Sequence, residues 1–316
     1  MKKVYVTDHV FETLEPMHSI LEPMGAEVIE LKDCTDSAQL AVRAPDADAL
    51  FTTFLPDISG PVMDSMPNLK GIVRSGIGYD TIDVEAAKER GIQVANVPDY
   101  CLDEVSDHAC ALTLSLTRKV TMSSDRIKSG DYNISYVHPI RNISRCVITI
   151  CGYGRIGRVI ARKLSSFRPV LQFYDPYVEK DELARKVSFE EAMETSDIII
   201  LQSPSTPETY HLLDDAAFSR MKKRPFIVNT ARGDLIETAA LERALQSGLV
   251  SGAGLDVVEG YSSYGADFCL CKYENVILTP HSAWTSEDAL VALQVKSSEE
   301  LGRIISGEKV LHCVWH

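Results

Sequence analysis

Short runs of apolar, mostly β-branched residues alternate with longer segments that mix apolar and polar positions, from one end of the chain to the other. Runs of this length and composition are typical of buried strands, and the segments between them are typical of helices. The predicted strands are Val4–Thr7, Ala26–Leu31, Ala49–Thr53, Leu69–Val73, Ile92–Asn96, Val147–Cys151, Val170–Tyr174, Ile198–Gln202, Phe226–Asn229, Ala253–Val257 and Val276–Thr279. Because strands that alternate with helices form parallel sheets with helices on both faces, the pattern predicts an α/β fold of doubly wound, Rossmann-like sheets.

Two interruptions divide this alternation into domains. Val97-Pro98 ends the first set of strands, and a second break near Thr285 precedes a long helix at the end of the chain. The pattern therefore predicts a nucleotide-type domain, residues 100–286, inserted into a split, flavodoxin-like domain of residues 1–99 and 287–316.

Two further helices stand out in the pattern. Asp83 is placed to cap a short helix, and Gly91 is placed to end it before the next strand. A longer helix, residues 102–120, carries apolar side chains nearly all round its surface. A helix of that kind is buried, either inside the fold or against a second copy of the chain. We therefore predict a homodimer that pairs through residues 102–120.

The composition is that of a soluble globular protein, with 45% hydrophobic and 24% charged residues. The net charge of −13 repels phosphates and anionic lipid headgroups, so neither nucleic acid nor a membrane surface is an expected partner. No apolar run reaches the ~18 residues of a membrane span, and the first residues do not resemble a secretory signal. Eight cysteines are scattered without a C-x-x-C pair. We expect a cytoplasmic protein with reduced thiols and no metal site.

A glycine-rich turn follows the strand Val147–Cys151 and opens a helix; it reads Gly152-Tyr-Gly154-Arg155-Ile156-Gly157. In this context the first glycine makes the turn, the second admits a pyrophosphate, and the third lets helix and strand pack closely. The helix N-terminus then donates amides to the phosphates. Asp175, 18 residues after Gly157, ends the next strand, where a carboxylate binds ribose hydroxyls and repels a 2′-phosphate. The sequence predicts NAD rather than NADP; the alternative is a purely structural glycine turn.

Basic residues at the ends of predicted strands are the candidates for binding a small anion. Arg232 follows Phe226–Asn229, and its planar guanidinium suits a carboxylate held by two hydrogen bonds. His281 follows Val276–Thr279, where an imidazole could exchange a proton with a hydroxyl while a nicotinamide exchanges hydride. The alternatives are a surface salt bridge for Arg232 and a structural role for His281. The other histidines considered are interpreted as structural: His108, His211 and His312.

A third loop begins at Arg74 and continues through glycines at positions 76 and 78. Bare glycine amides can cradle an anion, and Arg74 adds a positive charge beside them. A tight turn with a solvated arginine explains the local sequence nearly as well.

Together these motifs resemble the D-isomer-specific 2-hydroxyacid dehydrogenases, within about residues 69–290 and in the order of that family. The matching stretches are Leu69 to Asp83, Asn96-Val-Pro98, Val105-Ser-Asp-His-Ala109, the Gly152 loop, Gln202 to Thr209, Asn229-Thr-Ala-Arg232-Gly233, Gly254-Leu-Asp256-Val257 and Thr279-Pro-His281. Two segments are most similar to the branch that contains C-terminal-binding protein: Arg74-Ser-Gly-Ile-Gly and His281-Ser-Ala-Trp284-Thr-Ser-Glu287.

The resemblance implies a role for each matching residue. Arg232 would bind the substrate carboxylate and carbonyl, and His281 would be the acid/base. The implied substrate-binding residues are Arg74, Ser75, Gly76, Ile77, Gly78 and Trp284. The implied cofactor-binding residues are Gly152, Gly154, Arg155, Ile156, Gly157, Asp175, Ser203, Pro204, Thr209, Thr230 and Asp256, with Asp256 near the nicotinamide amide. The resemblance also implies a homodimer.

One position departs from the family pattern. The family reads L-D-V-x-E-x-E-P, and its second glutamate orients the catalytic histidine and raises its pKa; this chain reads Leu255-Asp-Val-Val-Glu259-Gly-Tyr261-Ser262. Tyr261 stands in place of the acid, and Glu259 is the candidate substitute. Tyrosine can orient an imidazole by hydrogen bonding but carries no charge at neutral pH. We therefore expect a lower pKa for His281 than in relatives, and reduction that fades at a lower pH.

Three interpretations remain open from sequence alone. The first is an NAD-dependent oxidoreductase that interconverts a small 2-keto acid and the D-2-hydroxy acid. The second is an NAD(H)-binding redox-sensing regulator or scaffold with weak or no catalysis, because of Tyr261. The third keeps catalysis but changes the substrate, because the loop from Tyr261 to Tyr264 alters the pocket.

Overall fold

Parallel strands build two sheets, one in each of two units of the chain. The computed structural model describes residues 1–133, 139–260 and 268–315. The first unit comprises Met1–Tyr100 and Ser286–His316, and the second comprises Cys101–Thr285. Each limit lies one residue from the limit drawn from the sequence pattern.

The first unit contains a five-stranded sheet in the order β2-β1-β3-β4-β5. Its strands are β1 (Lys2–Val6), β2 (Ala26–Glu30), β3 (Ala49–Thr52), β4 (Gly71–Arg74) and β5 (Gln93–Ala95). Its helices are α1 (Glu15–Leu21), α2 (Ser37–Arg43), α3 (Gly60–Asp64), α4 (Val84–Glu89) and, at the end of the chain, α11 (Glu287–Ser306). As expected from the sequence, Asp83 caps α4 by accepting from the amide of Ala86, and Gly91 adopts a φ of 67° after it.

The second unit contains a seven-stranded sheet in the order β12-β11-β10-β9-β6-β7-β8. Its strands are β6 (Val147–Cys151), β7 (Val170–Tyr174), β8 (Arg185–Lys186), β9 (Ile198–Leu201), β10 (Phe226–Asn229), β11 (Gly252–Leu255) and β12 (Val276–Leu278). Its helices are α5 (Leu102–Arg118), α6 (Val120–Lys128), α7 (Arg155–Ser165), α8 (Phe189–Thr195), α9 (Asp215–Ser219) and α10 (Thr238–Gln246). Strands β9 and β10 are wholly buried, as parallel strands covered on both faces must be.

The predicted fold class is confirmed, and two details differ from the sequence interpretation. The helix expected over residues 102–120 ends at Arg118, because Lys119 adopts a left-handed conformation with a φ of 57° and α6 starts after it. Ala111 on this helix is exposed and Leu114 is only half-buried, so the helix is not buried all round within its own unit. The edge strand β8 was not predicted, because two basic residues give no apolar signal. In the described part of the chain, no helix is long and apolar enough to cross a membrane.

Candidate active site

The glycine turn at the end of β6 has the geometry that a dinucleotide needs. Gly152 has a φ of 94°, and a Cβ there would lie 2.5 Å from the main-chain carbon of Gln202. A Cβ on Gly157 would lie 2.4 Å from the carbonyl oxygen of Gly152, so the third glycine is needed where α7 packs against the turn. At Gly154, in contrast, no described atom lies within 4 Å of where a Cβ would be. The second glycine therefore borders open space, where a pyrophosphate can approach the first amides of α7.

Asp175, directly after β7, is bonded to this turn. Its Oδ2 accepts from the amide of Tyr153 at 2.7 Å, and its Oδ1 accepts from the amides of Tyr177 and Val178 at 2.8 and 3.1 Å. The residue is 9% exposed. A carboxylate has about four acceptor sites, so these three bonds leave capacity for a ribose hydroxyl. The residues present thus fit the adenosine and pyrophosphate parts of a dinucleotide.

The other residues expected beside the cofactor follow β9 and β10. Thr209 Oγ1 donates to the carbonyl of Pro204 at 2.7 Å and accepts from the amide of Thr206, which holds the turn after β9. Thr230 Oγ1, after β10, donates to Gln202 Oε1 at 2.8 Å, and Ser203 follows Gln202. The ends of β9 and β10 are therefore joined by a side-chain hydrogen bond.

Arg232 lies in a turn that main-chain contacts hold in place. The buried Asn229 side chain donates to the carbonyl of Arg232 at 2.7 Å and accepts from the amide of Ala231 at 3.0 Å. A Cβ on Gly233 would lie 2.2 Å from the carbonyl of Val258, so only glycine fits after the arginine. The guanidinium is fixed partly by Nη1, which donates to the carbonyl of Ala231 at 2.7 Å.

His281 lies in a turn that wraps around the carboxylate of Asp256, a residue that is 1% exposed. Asp256 Oδ1 accepts from the Thr279 hydroxyl at 2.6 Å and from the amide of Ser282 at 2.9 Å, and Oδ2 accepts from the amide of Ala283 at 3.0 Å. The amide of His281 donates to the carbonyl of Asp256 at 2.9 Å. The family resemblance implies that Asp256 lies near a nicotinamide, which stays a prediction; the bonds in the structure show that Asp256 shapes the His281 turn.

The structure therefore brings Arg232, Asp256 and His281 to one edge of one sheet. They follow β10, β11 and β12, which are neighbours in the parallel sheet, so their carboxyl ends point the same way. Ligands of open α/β sheets bind at this edge. The half-buried Trp284 lies three residues after His281.

Glu259, the candidate substitute for the family's acid, is bonded to a different histidine. Its Oε1 lies 2.6 Å from His211 Nε2, and its Oε2 accepts from the amide of Thr238 at 3.2 Å. Burial raises the pKa of the Glu259 carboxyl, but the hydrogen bonds from His211 and from the Thr238 amide outweigh this, so the pKa lies below its usual value. Tyr261 lies outside the described residues.

Replacing Glu259 with Gln is expected to lower the free energy of unfolding by about 1 kcal/mol at neutral pH, the typical size of one such bond. A carboxyl with a lowered folded pKa stabilises the protein above the unfolded pKa and loses that effect as pH falls through the folded pKa. The difference between variant and wild type should therefore shrink below about pH 4. Urea unfolding across this range measures it.

The matched control is Glu182→Gln, which removes an exposed carboxylate from the same unit. An equal stability loss in both variants, or a loss independent of pH, would contradict the role given to the Glu259 pair. A role for Glu259 at His281 would show itself separately, as a fall in turnover at unchanged stability.

The loop from Arg74 to Gly78 belongs to the first unit and follows β4. Arg74 Nη1 donates to the carbonyl of Ser75 at 3.0 Å. The same nitrogen packs against Gly76, where a Cβ would lie only 1.5 Å from it. The guanidinium also lies 5.5 Å from the centre of the ring of Phe54. The sequence did not single out Phe54 as a site residue. The Ser75 hydroxyl is buried with no hydrogen-bond partner in the described structure. An orphaned buried hydroxyl beside glycine amides fits a site that accepts a polar ligand.

A parallel sheet with this glycine turn after its first strand defines a dinucleotide-binding protein, and the strand-end arginine and histidine are typical of a dehydrogenase. The family model described as "D-isomer specific 2-hydroxyacid dehydrogenase, NAD binding domain" matches residues 110–283. Glyoxylate reductase of Korarchaeum cryptofilum is 34% identical over 84% of this chain and 82% of its own length. Glyoxylate reductase of Pyrococcus furiosus is 33% identical over 92% of this chain and 88% of its own.

A solved structure adds to these similarities. D-lactate dehydrogenase of Aquifex aeolicus, in complex with NAD and lactic acid, superposes with a TM-score of 0.87 at 26% identity, covering 97% of this chain and 96% of that one. The chain belongs to the D-isomer-specific 2-hydroxyacid dehydrogenase family. It is an NAD-dependent oxidoreductase of that family, as the resemblance of its motifs implied.

Replacing Asp175 with Ala is expected to remove the preference for NADH. In the wild type, the carboxylate should favour NADH over NADPH by at least about tenfold, or about 1.4 kcal/mol, because it repels a 2′-phosphate. The variant should bind NADH more weakly and NADPH no worse than the wild type does. Quenching of protein fluorescence by each nucleotide measures the two Kd values.

Glu179→Ala is the control, since this carboxylate on the same segment is 82% exposed and pairs with Lys186. If Glu179→Ala changed the Kd ratio as much as Asp175→Ala, general surface charge would explain the selectivity instead.

Proposed function

We propose that this protein reduces a small 2-keto acid with NADH, with Arg232 binding the substrate and His281 supplying the proton. The observation that carries the proposal is the placement of Arg232, Asp256 and His281 at the ends of three adjacent strands of the sheet that bears the glycine turn. The names of the curated relatives favour glyoxylate as the first substrate to test.

The cofactor would be held by the glycine turn, the first amides of α7, Asp175 and the segments after β9 and β10. When bound, NADH would donate hydride for reduction of the keto acid, and NAD⁺ would accept hydride in the reverse direction. Ser203, Pro204, Thr209 and Thr230 would border it, since their turns are joined through Gln202.

Arg232 is proposed to bind the keto acid through its guanidinium. A planar fork holds a carboxylate by two charge-assisted hydrogen bonds, and its positive charge polarises the neighbouring carbonyl. Arg74, the amides of residues 75–78 and Trp284 are proposed to assist in substrate binding. The Ser75 hydroxyl supports this, because it is buried without a partner in the described part of the molecule.

His281 is proposed as the general acid of reduction. As hydride reaches the carbonyl carbon, the carbonyl oxygen gains negative charge and takes a proton from the imidazole. In the reverse direction the neutral imidazole takes the proton from the hydroxyl. Tyr261, which replaces the family's glutamate, is proposed to lower the pH at which reduction fades.

The deciding experiment measures NADH oxidation by the purified protein with glyoxylate, pyruvate and hydroxypyruvate. Turnover of at least one of them supports the proposal. Tight NADH binding without turnover of any of these three keto acids would overturn the proposal and favour the alternative, an NAD(H)-binding redox-sensing regulator. That alternative is motivated by Tyr261 and by the resemblance to the branch that contains C-terminal-binding protein. Tyr261→Glu distinguishes further, because a gain of activity in this variant would indicate that the tyrosine limits catalysis.

We also propose the homodimer predicted from the sequence, which pairs through residues 102–120, and we extend its surface to the neighbouring residues up to 132. Large apolar side chains there are exposed, including Val120 at 58%, Ile127 at 50% and Tyr132 at 91%. Exposed apolar residues grouped on one segment are typical of an interface. A monomer mass by light scattering would refute this.

A further inference from the structure

His281 is held in a conformation that needs support from its surroundings. Its φ of 53° lies in the left-handed region, which is unfavourable for residues other than glycine because the Cβ comes too close to a carbonyl oxygen. The support comes from Asp256, whose carboxylate binds the turn on both sides of His281, through the Thr279 hydroxyl before it and two amides after it. Whatever fixes Thr279 and Asp256 therefore also fixes the backbone from which the His281 imidazole projects.

His108, on α5, is a third member of this network. Its Nε2 lies 2.9 Å from Thr279 Oγ1 and 3.6 Å from Asp256 Oδ1. Its side chain is 23% exposed, whereas that of Asp256 is 1% exposed. The imidazole thus lies between the surface of this unit and the buried carboxylate that shapes the His281 turn.

Helix packing explains why His108 reaches this place. Residues four apart lie on one face of a helix, so His108, Leu112 and Leu116 form one row on α5. A Cβ on Gly254 of β11 would lie 3.1 Å from Leu112 and 3.2 Å from Leu116, so the glycine lets α5 approach the strand closely. One turn nearer the start of α5, the same row brings His108 to the end of β11, where Asp256 lies.

The hydrogens in the network are fixed by counting donors. A hydroxyl has one hydrogen, and the Thr279 hydroxyl donates it to Asp256, since an ionised carboxylate only accepts. The contact with His108 must then be an N–H bond from Nε2 to the Thr279 oxygen. His108 is therefore a donor here, either as the Nε2–H tautomer or as the imidazolium.

We propose that His108 is a positioning residue for His281: by donating from Nε2 to Thr279, it completes the bonds that hold the His281 turn around Asp256. His108 does not exchange a proton with substrate, and the proposal rests on the proposed function only in giving His281 the acid/base role. Its effect is to keep the imidazole of His281 in one orientation, so its loss lowers kcat without weakening cofactor binding.

Histidine NMR tests the geometry without any need for turnover. In ¹⁵N-histidine-labelled protein, with His108 and His281 assigned by their own substitutions, His108 should carry a hydrogen on Nε2. The His281 signals should shift or broaden in His108→Leu and keep their positions in His108→Gln, because the glutamine Nε2 can still donate. A bare Nε2 on His108, or His281 signals that ignore both substitutions, would overturn the proposal.

Kinetics test the consequence. His108→Leu should lower kcat about tenfold, the effect of losing one buried hydrogen bond. Thr279→Val should lower kcat at least as much, because it also removes the bond to Asp256. The Kd for NADH should stay unchanged in both variants. The double variant should be no worse than Thr279→Val alone, because Thr279→Val already removes the bond to His108, and His108→Gln should retain most of the activity. His18→Gln, which removes a half-exposed histidine from α1, is the control and should leave kcat unchanged.

Two outcomes separate the proposal from its alternatives. If Leu and Gln at position 108 lowered kcat, NADH affinity and thermal stability together, His108 would be merely structural and the proposal wrong. If the wild type turned over no keto acid, the proposed function would fail, while the NMR result would still decide whether His108 positions the His281 turn.

Discussion

Replacing Arg232 with Ala is expected to lower kcat/KM for the keto acid about a thousandfold, equivalent to about 4 kcal/mol of lost transition-state stabilisation. The arginine is proposed to bind the carboxylate and to polarise the carbonyl, so the loss should fall on both KM and kcat. The backbone of the turn should persist, because Asn229 holds it through the amide of Ala231 and the carbonyl of residue 232. Steady-state kinetics on the variant measure the effect, and an unchanged NADH Kd shows that the site remains folded.

Arg232→Lys separates charge from shape. Lysine keeps the positive charge but lacks the planar fork, so activity between that of wild type and alanine variant is expected. Arg243→Ala is the matched control, since this arginine on α10 has a side chain 52% exposed and pairs with Asp215. If Arg232→Ala retained kcat/KM within about tenfold, the substrate would be bound by other groups.

The strands that position the site were predictable because parallel strands buried on both faces leave a continuous apolar signal. Val147–Cys151, Val170–Tyr174 and Phe226–Asn229 have the predicted bounds. The pattern missed two kinds of feature, a strand made of polar residues and a break caused by backbone conformation. Arg185–Lys186 pairs at the sheet edge without apolar side chains, and the left-handed Lys119 ends α5 where the sequence has no glycine or proline to signal the break. Such features depend on tertiary context that a local pattern does not contain.

Site residues such as Asp175 were predictable because the function requires a particular residue type at their position. A residue such as His108 was less predictable, because helix packing brings it to the site. The glycine turn, Asp175, Arg232 and His281 were selected as separate motifs. Only the sheet order shows that Arg232 and His281 follow strands with a single strand, β11, between them, at one edge of one sheet. His108 was interpreted as structural because, unlike His281, it was not linked by the sequence to Arg232 and the glycine turn. The signal lay in two distant features, the row of residues four apart on α5 and the small residue at position 254.

Replacing His281 with Asn is expected to lower kcat about a thousandfold, within the range attributed to general acid/base catalysis. Asparagine is the informative substitution, because it tolerates the left-handed backbone that His281 adopts at a φ of 53°, whereas a β-branched or bulky residue would add strain. The amide bond to the carbonyl of Asp256 and the bonds of Asp256 to residues 279, 282 and 283 can therefore persist. Loss of activity would then report the missing proton donor.

The measurements for His281→Asn are kcat with saturating NADH and keto acid, the Kd for NADH, and thermal stability. Because the imidazole is proposed to act on the reacting carbonyl, kcat should fall while cofactor affinity and stability stay near wild type. His18→Asn is the control for loss of a histidine elsewhere, since His18 pairs with Glu22 on the surface of the first unit. If His281→Asn kept kcat within about tenfold of the wild type, another group would supply the proton. The Asp256-centred turn would then position the loop that carries Trp284 rather than an acid.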